Sequence, residues 1–207
     1  MEKRFIEDNV IIESRANDAG ENEEFIIGYA IRFNKWSNDM NMWGKPFKEK
    51  VSDRALDGVS LDKVIASVNH DFKVLARSDK GTLNLTIDTV GLKYELKVPK
   101  TTAGRDALED VKNGNLAGSS FTFTTKEDKW LIKKEEKEID ERTILKIDKL
   151  IELGPVSMPA YPDSTVKVAK RSYDIACSEI MQNTETEKTK TIKNKIKIIK
   201  IKNKIKQ

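Results

Sequence analysis

With one cysteine and one histidine in 207 residues, this chain has few groups from which to build metal or redox chemistry. Cys177 has no second thiol to pair with, which excludes a disulfide framework and a cysteine cage for a metal. His70, as the lone imidazole, cannot supply a multi-histidine metal site or fill two places in a catalytic triad. Long apolar runs are also missing. No stretch approaches the roughly 20 residues of a membrane-spanning helix, and Met1-Glu2-Lys3-Arg4-Phe5 does not read as a secretory leader. With 35% charged and 38% hydrophobic residues, the expectation is a soluble protein of the cytoplasm with no membrane partner, no metal and no cofactor.

Acidic residues are absent from Lys188 to Gln207, where nine lysines stand among isoleucine, asparagine and threonine. Without those lysines, 29 basic residues face 34 acidic ones, so the net charge of +4 belongs to the end of the chain and the body is near −5. A specific nucleic-acid reader needs a basic face on the folded body, so none is expected here. Trp36, Trp43 and Trp130 lack interleaved basic neighbours and read as core or rim packing rather than base-stacking platforms. The alternation Lys195-Ile196-Lys197-Ile198 has a strand's period, but its like charges repel. We therefore expect one domain over residues 1–175, followed by a flexible Lys/Ile-rich tail over 176–207 that could dock on an acidic partner.

The body reads as strand-rich. Phe25 to Phe33 is β-branched and aromatic, with Gly28 suggesting a bulge. Thr82 to Asp88 and Leu92 to Val98 alternate with period two around Val90-Gly91, predicting a hairpin. Ala103, Ala107, Leu108 and Val111 predict a helix over 102–112, stopped by Asn113-Gly114. Strands are expected at 120–125, 130–134 and 143–150, with a turn at Lys126-Glu127-Asp128, a charged loop over 135–141, and a further helix within 164–181. The whole of 126–141 reads as solvated. Pro155, Pro159 and Pro162 mark an extended exit from the core.

A serine hydroxyl attacks a carbonyl only when a base removes its proton, and an imidazole of pKa about 6.5 suits that role at neutral pH. His70 ends the apolar run Val64-Ile65-Ala66-Ser67-Val68. The candidate nucleophile downstream is Ser120 in Gly118-Ser119-Ser120-Phe121, and the candidate orienter is Glu152, with Asp71 and Asp148 as alternatives. Each residue also has an ordinary structural reading: His70 bonded to Asp71, the two serines fitting a crowded strand start, and Glu152 as a solvated charge.

The order of the segments adds to this. Gly28-Tyr29-Ala30 with Phe33-Asn34 is followed by Phe47-Lys48-Glu49, Asn69-His70-Asp71, Gly91-Leu92, Gly114 to Phe123, and Glu152 to Pro162 with its Pro159-Ala160-Tyr161-Pro162. Over Phe25 to Lys170 the series resembles the prohead maturation proteases of tailed bacteriophages. It departs from their pattern at Leu153-Gly154, where Val-Ser is usual.

The resemblance implies a fold like that of the herpesvirus assembly protease: α+β and β-rich, an antiparallel β-barrel flanked by helices. It implies a serine endopeptidase that acts in the host cytoplasm, inside the assembling procapsid. Its substrates would be the major capsid protein, the scaffold and itself, and a homodimer is among the states it admits. The catalytic residues carried over are His70, Ser120 and Glu152, with Ser119 in a variable slot. Herpesvirus proteases use a second histidine where this chain must use a carboxylate. Backbone amides near Ser120 are the oxyanion donors this reading suggests, with Gly118 permitting their close approach. A non-enzymatic capsid-assembly or scaffolding protein on the same fold is the alternative.

Overall fold

A computed structural model of the chain describes residues 1–6, 8–42, 45–71, 73–133, 138–157 and 172–181. The chain divides into two units, Met1–Val168 and Ala169–Gln207. The second contributes a helix over 172–181, within the span expected to be helical. Trp43, the Pro159 to Pro162 segment and the Lys/Ile tail from Lys188 lie outside the described residues.

The first unit is α+β and dominated by strands. In chain order these are β1 (Glu2–Ile6), β2 (Ile11–Ala16), β3 (Asn22–Arg32), β4 (Met40–Met42), β5 (Lys45–Val51), β6 (Ile65–Ser67), β7 (Val74–Arg77), β8 (Leu83–Ile87) and β9 (Gly91–Lys97). Helix α1 (Thr102–Lys112) precedes β10 (Gly118–Leu131) and β11 (Asp140–Val156). One sheet runs β2-β3-β9-β8, and the other runs β1-β10-β11-β5-β4 with β6 and β7 as a branch.

The expected hairpin and helix form for the expected reasons, while the strand expected at 130–134 is only the end of β10 and β11 already begins at Asp140. The β8–β9 hairpin turns at Asp88, whose Oδ1 accepts from the amides of Val90 (2.7 Å) and Gly91 (2.9 Å). Thr101 caps α1 by accepting from the Gly104 amide, and the helix buries Gly104, Ala107 and Val111 at three-to-four spacing. Ile26, Ile31, Tyr94, Leu96, Phe121, Phe123, Ile144 and Leu153 fill the core around them.

Three expectations about local structure need correction. Gly28 is not a bulge: it pairs regularly with Tyr94, and the register slips instead between Tyr29 and Ile31. A Cβ at position 28 would come within 2.7 Å of the Tyr94 hydroxyl, so Gly28 is a close-approach glycine. Lys126-Glu127-Asp128 is not a turn, since β10 runs through it, absorbing the charged stretch in register shifts against β11. Nor is 126–141 wholly solvated, because Asp140 is fully buried and binds Lys45.

The barrel does not close among the described residues. β11 gives one edge to β10, but its other edge is taken in parallel by β5 at Asp140–Ile144 and by β6 at Glu152 and Leu153. Two strands sharing one edge make the sheet fork rather than roll shut.

Candidate active site

The site is built where that fork brings β6 against the end of β11. After Ser67 the chain makes a tight turn in which Asn69 and His70 are both left-handed, with φ of 53° and 58°. For residues with a Cβ such backbone costs on the order of 1–3 kcal/mol and persists only when its surroundings hold it. Asn69 provides the hold. Its amide donates to the Pro155 carbonyl (3.2 Å), and its Oδ1 accepts from the Ser157 amide (2.9 Å) and hydroxyl (3.2 Å). The turn is thereby fastened to the end of β11, and the imidazole reaches over that strand to β10.

There it meets the two other residues singled out from the sequence. His70 Nε2 lies 2.6 Å from Ser120 Oγ, and His70 Nδ1 lies 3.2 Å from Glu152 Oε2. Ser120 and Glu152 reach the same imidazole because β10 and β11 are antiparallel neighbours: Ser120 pairs with Gly154, and Thr122 with Glu152. His70 and Glu152 are largely covered, at 11% and 14% side-chain exposure, and Ser120 is 5% exposed. Fifty residues of sequence separate the hydroxyl from the ring; one strand separates them in space.

Burial holds the His70 pKa below its ordinary 6.5, outweighing the Glu152 carboxylate, which pulls the other way. The imidazole is therefore neutral at neutral pH, the form a general base needs. With its proton on Nδ1, bonded to Glu152, Nε2 presents a lone pair to Ser120. The Ser120 hydroxyl also lies 2.7 Å from the Arg4 carbonyl of β1. One proton cannot serve both acceptors, so the hydroxyl either faces the base or rests on β1.

The remaining candidates fall elsewhere. Ser119 is fully buried and bonds the Tyr94 hydroxyl at 3.0 Å, its side chain facing away from Ser120 by strand alternation. Asp148 is exposed and accepts from Thr124 Oγ1 (3.3 Å). Asp71 is exposed, its amide closing the turn onto the Val68 carbonyl. The carboxylate at Nδ1 is that of Glu152. At Ser119 to Phe121, β10 has β1 on one edge and β11 on the other, so these amides point into neighbouring strands. The expected oxyanion donors beside Ser120 do not fit that arrangement.

Sequence reasoning missed three neighbours. Thr122 Oγ1 lies 3.3 Å from His70 Nδ1, Ser67 Oγ donates to Glu152 Oε1, and Arg4 supplies its carbonyl. Thr122 was within reach, being two residues after Ser120 and so on the same strand face. Ser67 carried no signal inside an apolar run, and Arg4 contributes backbone, which no side-chain pattern reports.

The opposite face of β1 and β10 carries a second polar group. Glu2, Arg4, Glu49 and Arg142 are nearly or wholly buried and mutually paired. Arg142 also binds Asp128 at 2.6 Å, and Thr125 donates to Glu2. Burial penalises the Glu2 carboxylate, yet Arg142 and Arg4 outweigh it and bring its pKa down to about 2. Among the described residues, no group of three histidine, cysteine, aspartate or glutamate side chains is arranged to hold a metal.

A family model described as caudovirus prohead serine protease matches residues 11–178. Among solved structures the chain is similar to the bacteriophage T4 capsid assembly protease, with 11% identity and a TM-score of 0.46, over 74% of this chain and 100% of that one. No curated protein matches the sequence.

Proposed function

The chain belongs to the caudovirus prohead serine protease family, and on that premise we propose that Ser120 is its nucleophile, His70 the general base and Glu152 the group that orients the imidazole. The observation that supports this reading most is the 2.6 Å separation of His70 Nε2 and Ser120 Oγ, on a ring whose other nitrogen faces a carboxylate. The family is one of capsid-maturation proteases that work in the procapsid.

In the proposed cycle, His70 takes the Ser120 proton as Oγ adds to the scissile carbonyl. The imidazolium, held by Glu152, returns that proton to the leaving amine. Water then hydrolyses the acyl-enzyme with His70 again as base. The proton leaves Ser120 only after its hydroxyl swings from the Arg4 carbonyl to Nε2. The proposed substrates are the major capsid protein, the scaffold and the enzyme itself. The proposal takes residues 1–175 as the protease domain and 176–207 as an extension beyond it. It includes kinship with herpesvirus assembly proteases, with Glu152 standing where those enzymes place a second histidine.

Co-expression with the capsid protein of the same phage tests the reading. Processing is expected with the natural chain and is expected to cease in Ser120→Ala and in His70→Ala. Normal processing by either variant refutes the assignment, and no processing by the natural chain returns the non-enzymatic reading to first place. A fluorophosphonate probe, which labels activated serines without needing the substrate, should mark Ser120 and leave Ser119 untouched.

A further inference from the structure

A carboxylate has two oxygens, and the imidazole of His70 engages only one of Glu152's. The other, Oε1, accepts a hydrogen bond from Ser67 Oγ. Ser67 is 1% exposed and ends β6, just past the two positions at which that strand pairs with β11, Ile65–Glu152 and Ala66–Leu153. Its backbone packs on β11 closer than a side chain would permit: a Cβ at Gly154 would stand 2.0 Å from the Ser67 carbonyl. Gly154 therefore leaves the room in which the Ser67 backbone packs on β11.

A rival stands at the same imidazole nitrogen. Thr122 Oγ1 is 3.3 Å from Nδ1 and Glu152 Oε2 is 3.2 Å from it, the two residues being register partners across β10 and β11. Glu152 fixes the tautomer of the ring, whereas the Thr122 hydroxyl, able to donate or accept, also supports the opposite one. Glu152 can only accept, which puts the proton on Nδ1 and leaves Nε2 free to take the Ser120 proton. Thr122 can donate, which puts the ring proton on Nε2, where it blocks Ser120. Both tautomers are hydrogen-bonded in this site, so the choice rests on how firmly the carboxylate is held in place.

We propose that Ser67 is a positioning residue of the catalytic apparatus: by fixing Glu152 Oε1, its hydroxyl makes Glu152, rather than Thr122, set the tautomer of His70. The effect on rate rests on the nucleophile and base assigned above; the effect on the tautomer does not.

The single histidine makes the test direct. In the full chain labelled with 15N-histidine, two ring nitrogens give all the imidazole signal, and their shifts report which one carries the proton. The natural chain is expected to show Nδ1–H. Ser67→Ala is expected to move the population toward Nε2–H and to slow fluorophosphonate labelling of Ser120 by about tenfold or more, short of the roughly 10⁴ that full capture of the wrong tautomer costs. Adding Thr122→Val, which removes the rival donor, is expected to restore both readouts. A packing defect at Ser67 would not be repaired by a change on β10.

An unchanged tautomer in Ser67→Ala overturns the proposal, as does a shift that Thr122→Val fails to reverse. A tautomer shift with undiminished labelling removes Ser67 from the reaction. A tautomer that responds as stated, in a chain whose serine never labels, keeps the positioning and sinks the nucleophile assignment instead.

Discussion

The sheet around β10 carries polar side chains on both faces, and the two groups follow different rules. On one face Ser120, Thr122, His70, Glu152 and Ser67 share protons among hydroxyls, one neutral ring and one carboxylate, partly open to solvent. On the other, Glu2, Arg4, Glu49, Arg142 and Asp128 carry full charges, paired and nearly or wholly removed from water. The first group has alternatives: two acceptors for one serine proton and two partners for one ring nitrogen. The second holds each glutamate between two arginines, and a buried charge that loses its partners has no solvent to turn to. Chemistry requires the former, and a strand held in place is well served by the latter. β1 joins them, since its Arg4 side chain enters the ion group while its Arg4 carbonyl touches Ser120.

The largest effects are expected on the face that carries Ser120 and His70. Ser120→Ala and His70→Ala are expected to cut proteolysis by about 10³-fold or more, while thermal melting stays near that of the natural chain. His70→Ala replaces no buried charge. If either variant unfolds, the active face is structural after all.

Arg142→Ala should do the reverse. It takes one of two arginine partners from Glu2 and from Glu49 and an ion pair from Asp128, which on the usual scale for a broken buried pair costs about 3–5 kcal/mol in urea denaturation. Activity should fall only to the extent that the folded population does.

Acidification separates the faces in one titration. As pH drops below 6.5 toward the lowered pKa of His70, its protonation ends activity and also costs some stability, because the folded state resists the charge more than the unfolded chain does. Glu2 has an unfolded value near 4.5 and a folded value of about 2, so its contribution is complete above 4.5 and is lost as pH falls toward 2. That contribution is on the order of 3 kcal/mol. Circular dichroism and probe labelling across the same pH series should show activity failing first. Simultaneous loss would mean the two groups are one cooperative unit.

Glu152→Gln is expected to reduce the rate by on the order of 10², with KM little changed; full activity would leave the imidazole without a required orienter. The smallest effect is expected from Ser119→Ala. It removes a partner of the buried Tyr94 hydroxyl, for about 1 kcal/mol of stability, and keeps its activity. A dead Ser119 variant beside a live Ser120 variant would reverse the nucleophile.

The ion group was hidden in the sequence for a physical reason. Glu49 and Arg142 are residue types that usually face water, and Arg142 adjoins a stretch dense in both signs. Only strand pairing reveals that β1, β5, β10 and β11 turn these side chains to one place. The long course of β10 was obscured similarly: Lys126-Glu127-Asp128 has turn composition, but Glu127 pairs with Lys146 and Asp128 with Arg142 across the ladder. The early strands β1 and β2 are short and charged, and β1 finds its partner only in the distant β10, while β2 pairs with the adjacent β3.

Residue chemistry and order along the chain determined the family, the helix, the β8–β9 hairpin and the short roster of groups able to do acyl transfer, because periodicity and functional-group type are local properties. What the tertiary structure alone decided was which groups meet: Glu152 rather than Asp71 or Asp148 at Nδ1, Ser120 rather than Ser119 at Nε2, and Ser67 behind the carboxylate. Hydrogen bonds act over about 3 Å, and the residues they join here stand 50 to 85 positions apart, so strand register and the fork of the sheet had to choose among them.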